Sequence, residues 1–82
     1  MKYIDQENPR FTYYIRETLN GFAIQVLNVE RDERYPLTPA IAYKLGLTLP
    51  EDFRCNGSAN EKAEIVAQLE RLAKTNGMIG IE

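Results

Sequence analysis

Apolar and polar residues alternate along residues 11–28, and the alternation is interrupted at Asn20-Gly21. A period of two is typical of a β-strand with one buried face, and Asn-Gly between two such runs is a strong signal for a type I′ hairpin turn. A two-residue turn at this place pairs Leu19 with Phe22. The predicted core face of the hairpin consists of Phe11, Tyr13, Ile15, Leu19, Phe22, Ile24 and Val26.

The opposite face of the predicted hairpin is mixed. Tyr14 lies opposite Leu27 in this register, and Val29 follows, so the open end of the face is apolar while the end near the turn is polar. Residues 78–81 have the length and composition of a short strand, and residues 1–4 are apolar enough for another. The predicted sheet therefore contains the hairpin and a C-terminal third strand.

Two segments carry helix signals. In LTPAIAYKLGL, Thr38 is the expected N-cap, Pro39 takes the first helical position and Gly46 is the expected left-handed cap at the C-terminal end. In SANEKAEIVAQLERLAKTNG, Ser58 and Glu61 have the spacing of a capping box. An apolar stripe at helical spacing follows, made of Ile65, Val66, Leu69, Leu72 and Ala73.

These elements predict an α+β protein of two layers. The antiparallel hairpin and the C-terminal third strand form one layer, and one long and one short helix pack against it. With 82 residues, the chain has the size of a single domain that spans residues 1–82.

Residues suited to catalysis or metal binding are scarce. The chain has no histidine, the commonest general base and metal ligand. Cys55 is the only cysteine, which excludes an intrachain disulfide, and without a partner base it is interpreted as an incidental thiol. The adjacent acids Glu51-Asp52 and Asp32-Glu33 offer too few separated ligands for a cation. We therefore expect no enzyme activity, no metal and no cofactor.

Charge and hydropathy restrict the classes of partner. The net charge is −2, whereas phosphate contacts need a concentrated basic surface, so nucleic acid is an improbable ligand. No apolar run approaches the roughly 18 residues that cross a bilayer, so no membrane insertion is expected. These features, with the single cysteine, favour a cytoplasmic protein that is a monomer or a homodimer.

Residues 30–34, here called the charged run, separate the hairpin from the short helix. Their summed charge is −1, which is typical of a solvated connection and unlike a phosphate-binding site. The run also adjoins the mixed hairpin face, and tyrosine and arginine dominate the energetics of many interfaces. The predicted binding patch has three central residues and two rim arginines: Tyr14, Leu27, Tyr35, Arg31 and Arg34. A competing possibility is that the N-terminal segment covers this face and makes it part of the core.

The function predicted from these observations is that of a small non-catalytic protein-binding module, an inhibitor or regulatory adaptor of a larger intracellular protein or complex. Because the chain has no cofactor motif and no recognisable catalytic residues, we expect it to act by binding through its surface. Short intracellular proteins of this kind are typical of phages and mobile elements, where many act on host machinery.

One resemblance supports an alternative function. EIVAQLERLAKTNGMIGIE resembles the third helix and first wing strand of a winged-helix domain. With the hairpin ahead and RYPLTPAIAYKL as a first helix, the layout is similar to small winged-helix-like domains that bind precursors of peptide natural products. The resemblance implies binding of a peptide along a sheet edge, or of nucleic acid. Residues 47–57 depart from this pattern because they carry no signal for a middle helix.

Overall fold

An antiparallel sheet and two helices make up the fold, which is α+β as predicted. The computed structural model describes residues 1–51, 53, 58–59 and 61–81, with only the backbone described at 58–59. Cys55, and Asp52 of the pair Glu51-Asp52, lie outside the described residues. In chain order the elements are β1 (Lys2–Ile4), β2 (Phe11–Thr18), β3 (Gly21–Asn28), β4 (Glu33–Pro36), α1 (Pro39–Lys44), β5 (Ser58–Ala59), α2 (Lys62–Thr75) and β6 (Ile79–Gly80).

The hairpin of β2 and β3 forms where it was predicted, but the predicted register is wrong by two residues. Thr18 pairs with Gly21, so the turn residues are Leu19 and Asn20, and Leu19 does not pair with Phe22. A shift of two residues keeps each strand side chain on its predicted face, because the side-chain period is also two. Leu19 is the exception: the turn leaves it fully exposed, at 103%, instead of in the core.

The sheet is larger than the predicted three strands. Its order is β4-β3-β2-β1-β6, and β5 pairs with the part of β3 that β4 leaves free. The predicted C-terminal strand is β6, whose Ile79 pairs with Ile4 of β1. β1 pairs with β2 and therefore lies in the same sheet, beside the hairpin and not over its mixed face.

The charged run contains a turn and the start of a strand, neither of which was predicted. Asp32 has a φ of 52°, and the Asn28 Oδ1 accepts the backbone N–H groups of Glu30 and Arg31 at 3.1 and 3.3 Å. The chain then pairs Glu33–Pro36 with β3. All five charged side chains of the run are exposed, so the run is solvated even though part of it is a strand.

α1 has the predicted signals at both ends. The Thr38 Oγ1 accepts the backbone N–H of Ile41 at 3.2 Å. At the C-terminal end, Gly46 has a φ of 73°, and the Leu47 N–H donates to the Ala42 carbonyl at 3.0 Å. This bond, from two residues past the cap, is the Schellman arrangement, which satisfies carbonyl groups at the helix end.

α2 begins later than predicted, and the capping box is wrong. Ser58 is in β5, where it pairs with Ala23 of β3. Glu61 is the N-cap instead, and its side chain makes no capping hydrogen bond. Strand pairing at Ser58 therefore takes precedence over a cap that the local sequence also allows.

The end of α2 lies at Asn76-Gly77, the last two residues of the segment that carries the helix signals. The Met78 N–H donates to the Ala73 carbonyl at 2.8 Å, a second Schellman bond. The Asn76 Oδ1 also accepts the backbone N–H of Thr48, and the Asn76 Nδ2 donates to the Thr48 carbonyl, both at 2.8 Å. These bonds hold the segment that follows α1 against the end of α2.

One face of the sheet, here called the inner face, packs against the helices and forms the core. Its fully buried side chains include Tyr13, Ile24 and Val26, and Phe11 is 9% exposed. The helices and the segment before α1 contribute Leu37, Ala42, Ile65, Leu69, Leu72 and Ala73. Val66 of the predicted stripe is half-buried. The opposite face of the sheet is here called the outer face.

Replacing Gly21 by valine should lower the free energy of unfolding by about 1 to 3 kcal/mol, because Gly21 has a φ of 150° that a β-branched residue resists. Chemical denaturation measures the change. Asn20→Ala is the matched control: Asn20 has a negative φ here, whereas a type I′ turn at Asn20-Gly21 would require a positive one. A large loss from Asn20→Ala would contradict the observed register.

Replacing Glu61 by serine should raise the free energy of unfolding by about 0.5 to 1 kcal/mol, since a hydroxyl at the N-cap can accept an N–H from the first turn of α2. Thermal melts would show the gain. Thr38→Ala is the opposite control, because Thr38 does cap its helix, and it should cost about 0.5 to 2 kcal/mol. If Glu61→Ser destabilised the protein, the helix would not begin at Lys62.

Candidate functional site

A row of side chains crosses the whole sheet on its outer face. The strand registers place these residues next to one another: Ile79, Ile4, Thr12, Leu27 and Arg34. Thr12, at the centre, is only 6% exposed, whereas Ile79, at one end, is 47% exposed. The row is apolar along most of its length and ends in a cation.

A second row lies beside the first and is more polar. It contains Lys2, Tyr14, Gln25 and Pro36 in that order. The Tyr14 hydroxyl donates to the Gln25 Oε1 at 2.6 Å, and both side chains are half-buried. This hydrogen bond crosses from β2 to β3 and fixes the Tyr14 side chain at the middle of the outer face.

The charges on the two faces of the sheet are segregated. Among the described strand residues, the outer face has the cations Lys2, Arg16 and Arg34 and no carboxylate, although the whole chain has a net charge of −2. Arg34 also pairs with Asp32 in the preceding turn, with 3.4 Å between the two side chains, which are largely exposed. An exposed pair of this kind holds its partners weakly, so Arg34 remains accessible to another anion.

Three residues of the predicted binding patch lie on the outer face. Leu27 and Arg34 are neighbours in the first row. Tyr14 is in the second row, where it lies opposite Gln25; the prediction that it lies opposite Leu27 is wrong. Arg31 is exposed in the turn before β4. The described helices pack on the inner face, and the N-terminal segment forms part of the outer face as β1 instead of covering it.

Tyr35 is separated from the other residues of the predicted patch, and its grouping with Tyr14 and Leu27 is wrong. Tyr35 pairs with Val26, so its side chain is on the inner face. Its hydroxyl donates to the Glu33 Oε1 at 2.7 Å. This hydrogen bond, with smaller contributions from burial and from the Glu33 charge, raises the pKa of Tyr35.

Three further residues of this surface were not predicted from the sequence: Lys2, Ile4 and Ile79. Lys2 and Ile4 precede the hairpin by several residues, and Ile79 is near the other end of the chain. The alternation of Lys2 and Ile4 with Tyr3 was the available signal. Alternation within one strand does not specify its neighbours, so the pairing of β1 with β2 and with β6 could not be predicted from it.

Neither a metal centre nor a membrane span is found in the part of the chain that the structure describes. No group of three or more acidic or cysteine side chains there is placed to hold a metal ion. Of the described helices, none is long and apolar enough to cross a membrane. Comparisons of the chain with protein-family models, with curated proteins and with solved structures each found no match.

Two adjacent tyrosines differ sharply in environment. The Tyr14 hydroxyl is hydrogen-bonded, whereas the Tyr13 hydroxyl on the inner face is buried and has no hydrogen-bond partner among the described residues. Burial, and secondarily the charge of Asp5, raises the pKa of Tyr13 far above its usual value near 10. The neutral form of Tyr13 is therefore strongly favoured in the folded protein.

Tyr13→Phe should leave the free energy of unfolding unchanged or raise it by up to about 1 kcal/mol, since it removes an unsatisfied buried hydroxyl. Tyr14→Phe should instead cost about 0.5 to 1.5 kcal/mol through its lost hydrogen bond. Because the Tyr13 pKa is raised on folding, its contribution to stability is complete below pH 10 and is lost as the pH rises above 10.

Denaturation at neutral pH and again above pH 10 tests both expectations. The Tyr13→Phe variant should lose less stability at high pH than the wild type. A large loss from Tyr13→Phe at neutral pH would mean that its hydroxyl has a hydrogen-bond partner.

Proposed function

We propose that this protein is a non-catalytic binding module that inhibits or regulates a larger protein, and that it binds this partner through the outer face of its sheet. The observation that carries the proposal is the composition of that face: an apolar and aromatic centre, three cations around it, and no carboxylate among the described strand residues. Surfaces of proteins that bind other proteins commonly have such an apolar centre and a polar rim.

The centre of the outer face has the properties of an energetic anchor. Tyr14 is held by Gln25 before any partner arrives, so binding would order it at little entropic cost. Leu27 and Ile4 flank Thr12 in the neighbouring row. A preorganised tyrosine among aliphatic side chains is typical of the residues that supply most of the binding free energy at an interface.

The cations indicate the charge of the partner. Lys2, Arg16 and Arg34 surround the centre on three different strands, so an acidic protein surface would be complementary to it. Such complementarity speeds association and selects among partners more than it adds affinity. Three cations are few for nucleic acid, where binding commonly relies on many phosphate contacts and on stacked aromatic residues.

The alternative, a peptide that pairs with a sheet edge, has less support at β4. The Leu37 N–H donates to the Ile24 carbonyl at 3.1 Å. Bonded and non-bonded positions alternate in an antiparallel ladder, so the N–H of Tyr35 also faces β3 and that of Arg34 faces away. Pro36, the other outward position, has no N–H. β4 thus offers a peptide a single backbone donor.

The partner can be identified by photo-crosslinking in the cells that express the protein. A crosslinking amino acid in place of Ile79, on the outer face, should capture a protein with an acidic surface. The same amino acid in place of Lys74, exposed on α2, should not capture it. Equal capture from the two positions would contradict docking on the outer face.

Affinity of the purified partner, measured by calorimetry, then tests the individual residues. Tyr14→Ala and Leu27→Ala should each weaken binding by about 1 to 3 kcal/mol. Arg16→Glu and Arg34→Glu should weaken it most at low salt, because salt screens exposed charges. Lys62→Glu on α2 makes the same charge change away from this face and should have little effect.

Tyr35→Ala provides an internal comparison, because Tyr35 lies on the inner face. It should leave affinity nearly unchanged, and thermal melts on every variant separate lost binding from lost folding. The proposal fails if Tyr35→Ala weakens binding as much as Tyr14→Ala while both variants remain folded.

A further inference from the structure

A cavity between β4 and α1 lies on the inner side of the sheet, away from the proposed partner surface. Its volume is about 250 Å³, and its lining consists of Phe11, Asn28, Tyr35, Ile41, Lys44 and Leu45. We propose that this cavity binds a small carboxylic acid that has one apolar group, such as an aromatic ring. The proposal is independent of the function proposed for the outer face.

The walls of the cavity are suited to an apolar group. Phe11 belongs to the hydrophobic core, and Ile41 and Leu45 of α1 pack against that core while remaining half-exposed. An apolar cavity of about 150 Å³ holds a molecule of benzene. A volume of about 250 Å³ therefore accommodates one ring together with a short acidic side chain.

Asn28 provides a hydrogen-bond donor whose orientation is fixed. It is 7% exposed, and its Oδ1 accepts the N–H groups of Glu30 and Arg31, which determines how the amide is turned. The Nδ2 makes no hydrogen bond with the described residues. An oriented amide donor beside an apolar wall is the kind of polar group that confers specificity on small-molecule sites.

Lys44 provides the charge. It lies in the last turn of α1, lines the cavity and forms no ion pair with the described residues. Among the lining residues that the structure describes, Lys44 is the one with a charged side chain. Glu33 is nearby in β4, but its carboxylate accepts the Tyr35 hydroxyl and is not part of the lining. An ammonium group and an amide donor together select a carboxylate.

Titration of the isotope-labelled protein with phenylacetate, followed by two-dimensional NMR, tests the proposal. The chemical shifts of the Asn28, Tyr35 and Lys44 backbone amides should change and saturate. Those of Arg16 and Ala23, whose side chains lie on the outer face, should not change. Benzyl alcohol and benzylammonium, which keep the ring and change the charge, should bind at least about tenfold more weakly. Failure of phenylacetate to give saturable shifts below about 10 mM would overturn the site.

Matched lysine substitutions test the role of the ammonium group. Lys44→Met should weaken phenylacetate binding about tenfold. Lys74→Met makes the same substitution in the last turn of α2 and should leave binding unchanged. Equal effects of the two variants, or benzylammonium binding as tightly as phenylacetate, would overturn the carboxylate assignment. Partner binding on the outer face is measured separately, so either proposal can fail alone.

Discussion

Burial of the inner sheet face against α2 determines which side chains the protein can present to a partner. Tyr13, Ile24 and Val26 are fully buried there, and each removes a substantial apolar area from water. Because successive side chains of a strand point to opposite faces, burying these three fixes Tyr14, Gln25 and the other residues between them on the outer face. The candidate binding surface is thus a consequence of how the core forms.

Local signals predicted much of the fold, and competing pairings account for the errors. The caps of α1 depend on a few adjacent residues, so the sequence was sufficient for them. A hairpin register shifted by two residues leaves the apolar pattern unchanged, so alternation alone could not distinguish the two registers. The capping box at Ser58 agreed with the local sequence. It did not form because Ser58 pairs instead with Ala23, a residue far away in the chain.

The candidate site was harder to predict than the fold, because residues distant in sequence form it. Tyr14, Leu27 and Arg34 were predicted and share the outer face. Tyr35 was assigned to the same patch, but β4 was not anticipated in the charged run, and its pairing with β3 places Tyr35 on the opposite face. Lys2 lies on the same surface because β1 pairs with β2, which places Lys2 next to Tyr14. This pairing is known only from the strand order.

The edges of the sheet have a consequence for behaviour at high concentration. Exposed strand edges promote intermolecular β-aggregation because they template the addition of further chains. At one end of the path β4 carries Glu33, Arg34 and Pro36, and at the other end β6 is two residues long. Neither of these two edges offers a long ladder of unpaired backbone groups among the described residues, so both are poor templates for fibril growth even at high concentration.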